Sequence, residues 1–135
     1  MIHHLPKAAI AALAALALPT AFADEVACHY TYGGETKTLI AKPVASPYAV
    51  PTVALGSYFR FKVVFQKEPA DLASVKIYAY ADKDEGAVPI HQATYPYPPA
   101  RDGPYGFTGL HFVYEPVRDG ELQYWCRLQP EGKAP

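Results

Sequence analysis

The sequence predicts an all-β domain, an antiparallel sandwich of about seven short strands stapled by one disulfide. Three observations carry this prediction. Beyond the first two dozen residues, apolar side chains alternate with period two, and no stretch sustains the i, i+3, i+4, i+7 stripe of a helix across three turns. Glycine and acidic turn signals separate the alternating runs. The exported part holds two cysteines, Cys28 near its start and Cys126 near its end, so only one intramolecular pairing is possible. A small β-barrel is the alternative way to close such a set of strands.

The first element is not part of the fold. A short basic stretch ending at Lys7, an alanine and leucine run from Ala8 to Leu18, and the small residues of Ala21-x-Ala23 read as a secretory signal peptide, residues 1–23, cleaved before Asp24. Val26-Ala27-Cys28 resembles a lipidation site only superficially, because Asp24 and Glu25 put charge where that signal is apolar. A single domain over 24–135 follows, in a periplasmic or secreted location. No later run approaches the roughly 20 apolar residues of a membrane span. In that oxidising setting Cys28 and Cys126 pair, closing a loop of about 100 residues worth about 4 to 5 kcal/mol on a chain-entropy account.

Strands are expected at Val26–Tyr32, Thr36–Ala41, Ser57–Gln66, Ser74–Tyr80, Val88–Tyr95, Phe107–Tyr114 and Gly120–Gln129. The clearest is Ser57–Gln66, where Phe59, Phe61, Val63 and Phe65 share one face and Tyr58, Arg60 and Lys62 the other. In Ser74–Tyr80, Val75, Ile77 and Ala79 point inward, leaving Lys76, Tyr78 and Tyr80 outside. Gly33-Gly34 suits a tight hairpin, since glycine reaches positive φ without steric cost. Asp82-Lys83-Asp84-Glu85-Gly86 and Arg118-Asp119-Gly120 mark later turns. Seven strands with this turn spacing suggest an immunoglobulin-like architecture.

The segment Asp119-Gly120-Glu121-Leu122-Gln123-Tyr124-Trp125-Cys126 resembles the Tyr-x-Cys strand of immunoglobulin-type domains over about eight residues. The resemblance implies a sandwich; the bridge itself would join the first and last strands.

Prolines interrupt the alternation twice. Pro43, Pro47 and Pro51 favour an extended connector that cannot lie in the middle of a sheet. Thr94 to Phe107 holds four prolines and four aromatic residues and reads as a long, stiff surface loop.

Charged residues make up 19% of the chain and the formal net charge is -1, with no basic run, so the footprint that a phosphate backbone demands is missing and nucleic acid is not an expected partner. No Gly-x-Ser-x-Gly, His-Glu-x-x-His or phosphate-binding glycine loop occurs, and a non-catalytic protein is expected. Asp82-x-Asp84-x-Gly86 fails as a calcium loop, because Ala93 stands where the bidentate glutamate is required.

The strongest candidate site is the aromatic and proline-rich loop. Tyr95, Tyr97, Arg101, Asp102, Tyr105 and Phe107 offer rigid rings and two charges to a protein, peptide or glycan partner, without a cofactor. The opposing reading has the rings fold back and seal the sandwich. A second hypothesis is a copper or zinc carrier using His91 or His111 with a nearby carboxylate. His29 points away from Cys28, and His3 and His4 belong to the signal. A third is assembly through an exposed edge strand; otherwise a monomer is expected.

Overall fold

The computed structural model describes residues 24–132, so the expected signal peptide, 1–23, lies outside the described residues, as do 133–135. Eight strands form two four-stranded antiparallel sheets. β1 (Asp24–Tyr32) and β2 (Glu35–Ala41) form a hairpin over Gly33-Gly34, whose φ values of 63° and 80° are those of the type I′ turn that matches strand twist. β3 (Val53–Leu55), β4 (Phe59–Gln66), β5 (Ser74–Lys83) and β6 (Gly86–Pro96) run as a meander. β7 (His111–Glu115) and β8 (Gly120–Pro130) form the last hairpin. The strand orders are β2-β1-β8-β7 and β3-β4-β5-β6, neither sheet closed on itself, so the sandwich holds and the barrel alternative does not.

The core lies between the sheets. Phe59, Phe61 and Phe65 of β4, with Val75, Ile77 and Ala79 of β5, face Val26 and Cys28 of β1 and Leu122, Tyr124 and Cys126 of β8, all fully buried. Each large side chain of this set contributes about 1.5 to 3 kcal/mol by leaving water. Cys28 and Cys126 sit opposite each other in the β1–β8 register and are joined by the disulfide, which thus links the first and last strands within one sheet.

Two elements differ from the sequence reading. β3 has only three residues between Pro51 and Gly56, too few to show alternation. β7 begins at His111 and not at Phe107, because Gly109 takes a φ of 74° and interrupts the extended backbone.

The chain changes sheet twice, between β2 and β3 and between β6 and β7. Those two crossovers are the two proline-rich stretches. Proline cannot donate to a ladder, and here it marks where the chain leaves one sheet for the other.

Glu115 closes the other end of the molecule. Fully buried, it accepts from the amides of Val117 and Arg118 and from the Arg118 guanidinium at 3.1, 2.9 and 3.2 Å. Burial alone would raise its pKa, but these bonds from Arg118 and Val117 outweigh it and hold the carboxyl below its ordinary value.

Candidate functional site

The second crossover, residues 97–110, is built onto the sandwich from below. Tyr97 packs its ring on Phe65 at 5.0 Å, donates its hydroxyl to the Asp24 carboxylate at 2.5 Å, and donates its amide to the Ala73 carbonyl at 3.2 Å. Burial and the Asp24 carboxylate push the Tyr97 hydroxyl up to about 12. Gly103 and Gly106 exchange two backbone bonds of 2.9 Å, forming a small loop within the loop.

Where β7 stops, the crossover takes its place beside β8. The Phe107 amide donates to the Cys126 carbonyl at 3.0 Å, and the Cys126 amide donates to Thr108 Oγ1 at 2.9 Å. Gly106 has a φ of 62°, and a Cβ there would lie 2.0 Å from the Cys126 carbonyl oxygen, so only glycine permits this approach. Cys126 is held from both sides, by the disulfide toward β1 and by this docking on the other. Phe107 is 5% exposed and joins the core, with Tyr95 edge-on against it at 5.4 Å.

With its inner side fixed, the crossover leaves a concave cavity of about 730 Å³ on its outer side. Its lining includes Tyr95, Arg101, Asp102, Pro104, Tyr105 and Phe107. A smaller hollow of about 240 Å³ adjoins it beneath Pro98, Pro99 and Leu128. Tyr105 is 48% exposed, Arg101 and Asp102 are exposed, and among the described residues neither charge has an ion-pair partner. The six residues expected to share one surface therefore divide. Tyr97 and Phe107 are structural anchors, Tyr95 is half-buried at the boundary, and Arg101, Asp102 and Tyr105 face outward. The inward turn of Tyr97 and Phe107 agrees with the seal reading, while Arg101, Asp102 and Tyr105 stay on the outside.

The two candidate histidines come together. His91 on β6 and His111 on β7 lie with ring centroids 5.4 Å apart at the seam between the two sheets. His91 Nε2 is 2.5 Å from the Tyr124 hydroxyl, and His111 Nε2 is 2.9 Å from the Tyr95 hydroxyl and 3.1 Å from the Thr108 carbonyl. A carbonyl only accepts, so the Thr108 contact is a hydrogen bond in the tautomer that carries the proton on Nε2. Burial, then the neighbouring His111, lowers the His91 pKa, while burial raises Tyr95 and Tyr124. The carboxylate expected beside these histidines is not among their hydrogen-bond partners; phenols take that position. Among the described residues no group of three or more histidine, cysteine, aspartate or glutamate side chains is placed to hold a metal ion.

The sequence reading missed a third cluster, on the outer face of the β2-β1-β8-β7 sheet. His29 stacks on Trp125 at 4.2 Å, Tyr105 meets the indole edge-on at 6.0 Å, and the Arg127 guanidinium lies 6.0 Å from the ring. The available signal was the alternation of β8, which turns Trp125 and Arg127 outward whenever Tyr124 and Cys126 turn inward.

Among the described residues no helix is long and apolar enough to cross a membrane. No family model, curated protein or solved structure matches the chain.

Proposed function

We propose that this is an exported, non-catalytic binding module that recognises its partner in the groove of the second crossover. One observation carries the reading: the crossover is anchored on its inner side by Phe107, Tyr97 and the Gly106 docking, yet presents an open cavity of about 730 Å³ with unpaired charge at Arg101 and Asp102. That volume falls within the range of small-ligand and peptide-side-chain sites, about 300 to 1,000 Å³. A surface held rigid before binding loses little entropy on association, and the ring of Tyr105 supplies apolar contact area. Arg101 and Asp102 orient the partner. The disulfide fits a periplasmic or secreted setting, and the signal-like residues 1–23 point the same way.

The test uses the anchored and open sides separately. Arrays of peptides and glycans are probed with the wild-type protein and with Arg101→Ala and Tyr105→Ala. Both variants keep the wild-type melting temperature and lose the wild-type signals. Signals that survive in both would place recognition elsewhere.

A second reading, a copper or zinc carrier, draws on the adjacency of His91 and His111. The two imidazoles and the Tyr95 and Tyr124 phenols would supply its ligands, which must lose protons first. Copper or zinc would then raise the melting temperature more at pH 8 than at pH 6, and a flat response in the His91→Phe variant identifies the seam as the site.

A further inference from the structure

The outer face of the β2-β1-β8-β7 sheet carries features that the groove reading does not use. Phe112 is 61% exposed on β7, and Trp125 with its ring neighbours lies toward the other end of the face. Between them Gln123 stands opposite both Phe112 and Thr31, and Thr38 stands opposite His29, so hydroxyl and amide groups surround the rings. Among the described residues Arg127 has no ion-pair partner, and its Nε, like His29 Nε2, is shut off from solvent without a hydrogen-bond partner. Thr38 Oγ1 holds His29 Nδ1 at 3.0 Å; when that hydroxyl donates, the ring proton sits on Nε2. In that tautomer two neighbouring donors, one of them cationic, lack an acceptor.

We propose that this face binds a uronic-acid sugar, its carboxylate taken by Arg127 and His29 and its ring laid on Trp125. The inference does not rest on the groove reading, although Tyr105 borders both the groove and Trp125. A donor pair beside an aromatic ring matches a carboxylate attached to a ring with an apolar face, and Arg127 is the group that recognises planar carboxylates. The middle of a sheet has its backbone amides committed to the ladders, so an extended peptide laid there would find no main-chain partners, whereas sugar hydroxyls are met by threonine and glutamine side chains. Glu121, opposite Tyr114, and Asp119, which accepts from the Tyr114 hydroxyl, make the far end of the face acidic. A ligand carboxylate is therefore directed to the Arg127 end. Binding requires the guanidinium to swing from the indole onto the carboxylate, with the sugar ring replacing it.

Trp125 is the only tryptophan in the chain, so intrinsic fluorescence reads this site directly. Protein with its disulfide intact is titrated with trigalacturonate, with the methyl ester of the same trisaccharide, and with a short peptide bearing a free C-terminal carboxylate. A saturable change with the acid, about tenfold weaker with the ester and about tenfold weaker in Arg127→Gln, supports the proposal. Arg127 is half-buried and makes no ion pair among the described residues, so Arg127→Gln should fold, and an unchanged melting temperature checks this. Arg101→Ala retains full response, which separates this face from the groove. Equal affinity for acid and ester, a full response in Arg127→Gln, an equal response to the peptide, or no change up to millimolar sugar would each overturn it.

Discussion

The two crossovers begin from the same chemistry and end as different structures. Both are rich in proline and both carry the chain between sheets. In the first, residues 42–52, one amide, Val44, reaches the Phe65 carbonyl at 2.8 Å, a short 3-10 turn spans Pro47–Ala49, and Tyr48 stands 96% exposed. Its opening of about 860 Å³, shared with Lys67 to Ala70, has no aromatic lining. In the second, rings turn inward and a glycine meets the edge of β8. The difference teaches that proline fixes only an extended direction. Both stretches give a backbone amide to a strand, and what sets the second apart is that its rings turn inward and a glycine lets it lie against β8.

The sharpest way to break this contrast is to remove an anchor. Phe107→Ala should cost about 3 to 5 kcal/mol, as large aromatic deletions from cores do, measured by urea unfolding of the oxidised protein. Gly106→Ala comes next, at about 3 kcal/mol, because it combines a positive φ with a Cβ 2.0 Å from the Cys126 carbonyl. Amide exchange should show the change concentrated at Phe107 and Cys126.

Tyr97→Phe should cost about 1.5 to 3 kcal/mol by deleting one hydrogen bond to a charged acceptor. It also carries a pH signature. Since folding raises this hydroxyl from 10.0 to about 12, the folded state keeps a proton that the unfolded chain releases. The contribution is complete below about pH 10 and disappears as pH rises through 12, so the wild-type protein should lose stability across that window more steeply than the variant. At the bottom of the scale, Tyr48→Ala in the first crossover should stay within about 0.5 kcal/mol, as surface substitutions do. A larger effect there would show that Tyr48 adds to the Val44 amide in holding the first crossover.

Much of the fold was legible because alternation is a local signal. Phe59, Phe61, Val63 and Phe65 announced β4, and Gly33-Gly34 announced the first hairpin. Val53–Leu55 was too short to show a period, and the apolar residues from Phe107 onward looked like strand because Phe107 is indeed buried, though by docking against Cys126 and not by belonging to β7. The candidate site was legible as a segment and not as a geometry. Composition located the loop, but which rings turned inward depended on Phe65, Asp24 and Cys126, all far away in sequence. The pairing of His91 with His111 was hidden for the same reason, since it requires the edges of two sheets to meet.

β6 is an edge strand of eleven residues without one charged side chain, approaching β7 at His91. Such an edge invites other copies to add strands to it, and lysine, the usual deterrent, is missing. Two interruptions stand in for charge. Pro89 has no amide to offer, and the register slips beside it, where Ile90 is left out of the pairing with β5. Association of copies through this edge is thus resisted by an irregular backbone and not by repulsion, and added salt, which defeats charge-based protection, leaves that resistance intact.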